Sequence, residues 1–393
     1  MPTQSKVETL SAVRPAKSEI DWAAVETEAA ELLSRYLQFD TSNPPGNEAP
    51  ALQFLAGVLR QHDFAPQLLE SAPGRANLVV RLPASADPAA PPCLLYAHAD
   101  VVPAAPADWS VPPFSGQIKD DFIWGRGALD DKGLGIIFLQ ALILLKNSDL
   151  PRKRDFVLLI AADEETCGHY GAAWLLEHHP ELIRAEYVWD EGGMGLRQSK
   201  ASRYIYNIAV AEKGALTVRL TAQGTPGHAS IPHRNNASDR LVQALARLAE
   251  WRRPIRLTPP VIEMLRSLAP GYSFPRSWLF RHASNRLTWP LLFPLLDRDA
   301  IFGPLIRNTV SLTMLRSGQK SNIIPAEAEA KLDIRLLPGE DPAAILGDLR
   351  AVIKDIRVVV EAEDMPVAHP SSDPATDFYY ALTDTLRAIA RRG

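Results

Sequence analysis

Two cysteines in 393 residues, Cys93 and Cys167, exclude a disulfide framework and make a reducing compartment, the cytoplasm, the expected location. No stretch of 18 apolar residues occurs, so no membrane span is expected. The opening MPTQSKVETLSAVRPAKSEIDWAA lacks a continuous apolar core of signal-peptide length. No long basic run stands out and the net charge is -4, which argues against nucleic acid as a partner. There is no internal repeat and no low-complexity tract. What is present is the balance of a globular chain: 46% hydrophobic and 22% charged residues, enough for a sizeable core. The length suggests two domains.

Residues 1–18 read as a flexible leader. Trp22, Val25, Ala29, Leu32, Leu33 and Tyr36 recur at helical spacing, and a second helix is expected over 49–61. Between them, FDTSNPPGNE is a loop by its Asn, Pro and Gly content. Apolar strands are expected at ANLVVRL, CLLYAHAD, DFVLLIAADEE and AEYVWDEGG, alternating with the helices LGIIFLQALILLKN and GAAWLLEHH. Such alternation indicates an α/β layer with a mainly parallel sheet flanked by helices.

Around Tyr204 the pattern changes to apolar–polar alternation in IYNIAVAEKGALTVRLTAQG, the mark of a sheet buried on one face. A helix over 239–252 and an irregular Pro-rich stretch over 254–306 follow. Strands AEAKLDIRLLP and IRVVVEAED flank the helix DPAAILGDLRAVIKDI. This βαββαβ-like order suggests a smaller α+β domain over 209–363. WPLLFPLL, short and interrupted by Pro, suits a buried loop, a lid or a partner-facing patch. A last helix is expected over 378–392.

Sites in open α/β sheets form beyond the carboxyl ends of strands. One strand here ends in His98-Ala99-Asp100. Residues i and i+2 of an extended segment face one side, so His98 can offer its imidazole to a metal while Asp100 orients the ring. The turn GRGALDDKG carries Asp130 and Asp131 before a buried helix; N-capping is the alternative role for Asp130. Asp163, Glu164 and Glu165 end an otherwise apolar strand, where adjacent carboxylates repel unless cations sit among them. Solvated turn acids are the alternative there. Asp190-Glu191 closes a fourth strand before two glycines. Oxygen and imidazole donors without thiolates suit Zn, Co or Mn. The excess of carboxylates favours two ions sharing a carboxylate and a water.

At these residues the chain resembles the M20 family of metallopeptidases, which includes aminoacylase, succinyl-diaminopimelate desuccinylase and carboxypeptidase S-like enzymes. The matching pieces are YAHAD, WGRGALDDKG, ADEETCG, DEGG, TPGHASIP and SNIIP followed by LDIRLLP, in family order. The resemblance implies a catalytic metal-binding domain over 19–208, an inserted dimerisation or lid domain over 209–363 and the start of a returning catalytic domain over 364–393. It implies two zinc ions per subunit, held by His98, Asp130 as the bridge, Glu165 and Glu191, with Asp190 the lesser choice for the last. Asp100 would orient His98, and Glu164 would be the general base. A cis peptide would follow Asp130. His228 would reach a partner subunit's site and help stabilise the oxyanion, implying a homodimer, while Asn322 and Arg335 would hold the substrate carboxylate. The implied substrate is a small N-acyl amino acid or peptide, cleaved at an amide bond beside a free carboxylate.

The chain departs from the family in one respect. The family's last metal ligand is a His near the C-terminus, after a Gly-Gly-Thr-Asp-like segment absent here; the last His is His369, in VAHPSSDPATD. A C-terminally truncated form is therefore expected, with low activity, weakened affinity at one metal site and poor solubility. The alternative function is a catalytically impaired or non-catalytic binding and dimerisation protein of the same fold. A phosphate-binding α/β protein is disfavoured, because the glycines of GRGALDDKG carry acids.

Overall fold

The computed structural model describes residues 20–85, 90–166, 168–198, 203–363, 365 and 371–390. The expected leader, Cys167 and His369 lie outside them. The chain divides into two compact units, Met1–Gly192 and Gly193–Gly393.

The first unit opens with α1 (Trp22–Leu37), whose start is capped by Asp21, and α2 (Ala49–Gln61). It continues with β1 (Gln67–Ala72), β2 (Arg75–Leu82), β3 (Cys93–His98), the small hairpin β4 (Gln117–Lys119) and β5 (Phe122–Trp124), and α3 (Lys132–Asn147). Then come β6 (Phe156–Ala161), α4 (Ala172–His178), α5 (Pro180–Ile183) and β7 (Tyr187–Trp189). The five-stranded sheet has the order β1-β2-β6-β3-β7. It is mixed: β3 runs parallel to β6 and β7, while β1–β2 and β2–β6 are antiparallel.

Both faces of this sheet are covered. Leu158 and Ile160 join the core under α1, α2 and α3, while Val157 and Leu159 join a second core with Leu175 and Ile183. That two-sided burial is why these strands read as unbroken apolar runs. β1 escapes such a reading because it is a half-exposed edge strand.

The second unit holds the hairpin β8 (Met194–Gln198) and β9 (Arg203–Asn207), then β10 (Gly214–Gln223), β11 (Gly227–His228) and α6 (Ala237–Glu250). Next are α7 (Pro259–Leu268), α8 (Arg276–Arg281), α9 (Trp289–Asp297) and α10 (Phe302–Leu305). They precede β12 (Thr309–Ser317), β13 (Ile323–Ile324), β14 (Glu327–Leu336), α11 (Pro342–Ile353), β15 (Val358–Ala362) and α12 (Asp377–Ala390). The order β12-β14-β10-β15 is antiparallel throughout. One face, carrying Leu216, Val218, Leu220 and Leu332, packs under α6 and α11.

The stretch over 254–306 is not irregular. It is a cluster of short helices with its own core of Leu265, Phe280, Leu292, Leu296, Phe302 and Ile306. Its prolines were read as breakers, but α7 and α9 carry Pro in the first turn, where no backbone donor is needed. WPLLFPLL is thus a helix, α9, with Leu292 and Leu296 buried in that core.

A candidate metal centre

The carboxyl end of β3 places His98, which is fully buried, on the floor of a cluster of acids. His98 Nε2 lies 3.0 Å from Asp130 Oδ1, 3.9 Å from Glu164 Oε2 and 4.0 Å from Glu191 Oε2. The three acids are open to solvent, at 65%, 40% and 43% side-chain exposure, so the cluster is a dry base with an accessible mouth. Donor atoms of His98, Asp130 and Glu191 all fall within 4.8 Å of one another. Asp190 is not of this group, and Glu191 is.

Each side chain has a local reason to be there. Asp130 and Asp131 lie in the turn entering α3, joined by a cis peptide, as the resemblance implies. Gly133, in the first turn of α3, must be Gly: a Cβ there would stand 2.3 Å from the Ala128 carbonyl oxygen. Asp131, nearly buried, accepts the His98 backbone N–H at 3.3 Å rather than facing the cluster. The buried Lys132 donates to Phe39 O at 2.8 Å, tying the entry of α3 to the exit of α1.

Asp100 joins two parts of the site. His98 Nδ1 lies 2.9 Å from the Asp100 carbonyl oxygen and 3.5 Å from its Oδ1. The Asp100 carboxylate also accepts the backbone N–H groups of Glu164 at 3.0 Å and Glu165 at 3.1 Å. One residue therefore fixes both the histidine, chiefly through its carbonyl, and the turn with the two glutamates, through its carboxylate. That turn starts at Asp163, a non-glycine residue at φ 67, whose carbonyl accepts the Gly168 N–H at 2.6 Å.

Sequence reasoning missed the groups behind this turn. Arg75 bonds Glu48 and Asp163, each at 2.9 Å, and Asn43 bonds Asp100 at 2.8 Å. The Arg75 guanidinium packs so closely on Gly46 that a Cβ there would stand 2.3 Å from it. The signal available was faint: an Asn, a Gly and a Glu in SNPPGNE, and one Arg preceding an apolar strand.

The electrostatics fit a cation. Burial works against a charged His98, yet its bond to Asp100 and the charges of Asp100 and Glu164 raise its pKa to about 10. Burial, with Asp130, Glu164 and Asp190 outweighing His98, pushes Glu191 up to about 7. Burial and the Asp130 charge also raise Glu165. Carboxylates this crowded resist ionising together, and a dication among them removes the conflict. One imidazole nitrogen with carboxylate oxygens is a donor set suited to such an ion.

In the second unit, His228 and Asn322 are brought together. His228 pairs with Ile323 across the β11–β13 ladder, and Ala229 N–H donates to Asn322 O at 3.0 Å. The exposed His228 ring has its Nδ1 2.7 Å from Ser230 Oγ. Arg335, on β14, makes a two-bond pair with Asp333 at 3.0 and 3.2 Å. Among the described residues no helix is long and apolar enough to cross a membrane.

Comparison with known proteins identifies the fold and the family. The N-fatty-acyl-amino acid synthase/hydrolase PM20D1 of Mus musculus is 34% identical over 313 residues, 77% of this chain. The chain spans 61% of that relative's own length. Among solved structures, the M20 family metallo-carboxypeptidase Sso-CP2 from Sulfolobus solfataricus shares the fold with a TM-score of 0.67 at 22% identity, covering 93% of this chain and 83% of that one. A dinuclear metal binding peptidase of the M20 family from Bacillus subtilis does so with a TM-score of 0.55 at 13% identity, covering 93% and 81%. The family model described as Peptidase family M20/M25/M40 matches residues 94–389, and the chain belongs to that family.

Proposed function

We propose that this protein is a two-metal hydrolase that cleaves an amide or peptide bond beside a free carboxylate, in N-acyl amino acids or small peptides. One observation carries the reading: His98, Asp130 and Glu191 converge within 4.8 Å at strand ends and a turn, with the Glu164 carboxylate beside them. The mouse relative is an N-fatty-acyl-amino acid synthase/hydrolase and the Sulfolobus protein a metallo-carboxypeptidase, which supports this substrate range.

His98, Asp130 and Glu191 would hold one ion, and Asp130 with Glu165 would serve the other; zinc suits these donors best, with cobalt or manganese as substitutes. Two such ions, when bound, supply Lewis-acid polarisation of the scissile carbonyl and lower the pKa of a water. Glu164 takes the proton from the attacking water as its oxygen joins the carbonyl carbon. The C–N bond then breaks, and Glu164 passes that proton to the leaving nitrogen. Asp100 holds the His98 ring and the Glu164 backbone in place meanwhile. His228, contributed across a homodimer formed by the second unit, stabilises the charge growing on the carbonyl oxygen. Asn322 and Arg335 bind the substrate carboxylate, Arg335 exchanging Asp333 for it. On this reading the enzyme works in a reducing compartment, the cytoplasm, to which its low cysteine count is suited.

Metal analysis alongside turnover tests the reading. Glu164→Gln should keep its metal and lose roughly 10²–10⁴-fold in rate. Asp130→Ala should lose metal, and two ions retained per chain in that variant would refute the bridging role. A panel of N-acyl amino acids against dipeptides then fixes the substrate class.

A further inference from the structure

A buried polar network lies behind the candidate ligands. Asn43, 3% exposed, stands in the loop after α1. Its side-chain nitrogen is 2.8 Å from Asp100 Oδ2, 3.0 Å from Asp163 Oδ1 and 2.9 Å from Thr166 Oγ1. Its backbone N–H donates to Val101 O at 2.8 Å, pinning the loop to the exit of β3. Beyond it, Arg75 Nε bonds Glu48 at 2.9 Å, one terminal nitrogen bonds Pro45 O at 2.8 Å and the other bonds Asp163 at 2.9 Å. Thr166 Oγ1 donates to the same Asp163 oxygen at 2.5 Å.

Asp100 and Asp163 are two buried carboxylates that converge on one amide group. A buried charge is tolerated only when its lone pairs are met by donors. Asn43 has two amide hydrogens to give, enough to serve both acids at once. An Ala there would leave the two carboxylates facing each other, and an Asp would add a third charge. Arg75 holds Asp163 from the other side.

We propose that Asn43, backed by the Arg75–Asp163 pair, is a positioning residue for the metal centre: its amide clamps Asp100 to the Asp163 turn. Because Asp100 holds both the His98 ring and the backbone of Glu164 and Glu165, loss of the clamp shifts ligands from two different strands together. This inference rests on the two-metal reading above.

The test uses the full chain and Co²⁺ as the probe. It compares Co²⁺ affinity by chelator competition, the visible spectrum of the bound ion and thermal unfolding without metal. The variants are Asn43→Ala, Thr166→Val and, as a matched control, Thr41→Val. Thr41 is fully buried and donates to Ala99 O at 2.7 Å, so its variant removes one buried bond that does not involve Asp100 or Asp163. Asn43→Ala should weaken Co²⁺ binding roughly tenfold and alter the spectrum, as loss of a ligand's supporting partner does. Thr166→Val should move both in the same direction by less, and it carries the test alone if Asn43→Ala does not fold. Thr41→Val should lower only the melting temperature. Wild-type affinity and spectrum in Asn43→Ala and Thr166→Val, with earlier melting, would reduce the network to a structural role and overturn the proposal. Failure of the wild type to take up Co²⁺ would bring down the two-metal reading and this inference with it.

Discussion

Leu158 and Leu159 are neighbours in β6 and belong to different hydrophobic cores, one on each face of the first sheet. In the second unit's sheet, Leu220 is buried under its helices, while its neighbour Arg219 stands on the outer face beside Glu363 and Lys331. The central strands of the first sheet have no outer face on which to spend charge, so their acids gather at the strand ends. The second sheet spreads its charge over a surface. A buried and a half-buried cation differ in the same way. Arg75 is met by two carboxylates, whereas Lys213 is met by Pro304 O, Arg307 O and Thr309 Oγ1. Two-sided burial concentrates ionisable groups at the strand ends, and one-sided burial leaves groups such as Arg219 solvated on the outer face.

The largest expected effect tests the first half of that contrast. Arg75→Met leaves Glu48 and Asp163 buried without their cation and should cost about 3–5 kcal/mol in urea unfolding. Burial already pushes Glu48 up despite Arg75, while bonds from Thr166, Asn43 and the Tyr170 N–H, with Arg75, hold Asp163 below the usual range against its burial. A loss under about 1 kcal/mol would bring Arg75 down to the level of a surface ion pair.

The alternation of faces comes next. Leu158→Ala and Leu159→Ala should each cost about 2–5 kcal/mol. In the second sheet Leu220→Ala should cost as much, but Thr221→Ala only about 0.5 kcal/mol. Equal losses at 220 and 221 would erase the distinction between the sheets.

Lys213 offers a pH test. Burial first, then the Arg253 and Arg335 charges, lower its pKa from 10.5 to about 8. Between those values the unfolded chain holds a proton that the folded chain has released, so stability should rise with pH across that window. Below about pH 8 both states are protonated and the penalty is constant. In Lys213→Met that rise should shrink by the share of Lys213, the remainder belonging to the buried Lys132, whose pKa burial lowers from 10.5 to about 7, and an unchanged slope would remove Lys213 from it. Smallest of all is Arg219→Ala, whose loss of an exposed pair should leave the melting temperature nearly unchanged, with any difference from wild type shrinking as salt is added.

What the sequence made legible follows the same physics. Periodic, deeply buried elements were read closely: the second helix was expected over 49–61 and is Ala49–Gln61. His98, Asp130, Glu164 and Glu191 were read as one site because each ends a strand or sits in a turn of the same layer. Pairing direction was legible in part: β3, β6 and β7 are parallel as expected, while the antiparallel β1 and β2 were not foreseen, because apolar runs look alike in both kinds of neighbour. β12 was missed because its residues face outward and leave no buried period. The helices over 254–306 were hidden by prolines: those of α7 and the first of α9 occupy first turns, and Pro294 lies inside α9. The clamp was hidden by distance: Asn43, Glu48, Arg75 and Asp163 meet across 120 residues of chain.

That separation bears on how such proteins are recognised and re-engineered. The family match begins at residue 94, and every candidate ligand of the first unit lies beyond it. Asn43, Glu48 and Arg75 all lie before it. A graft or minimised enzyme begun at residue 94 would keep each diagnostic motif and still lack the groups that brace them. On the proposed reading the ligands and the groups that brace them are encoded in different stretches of this chain, and a shortened version meant to bind metal tightly has to start upstream of Asn43.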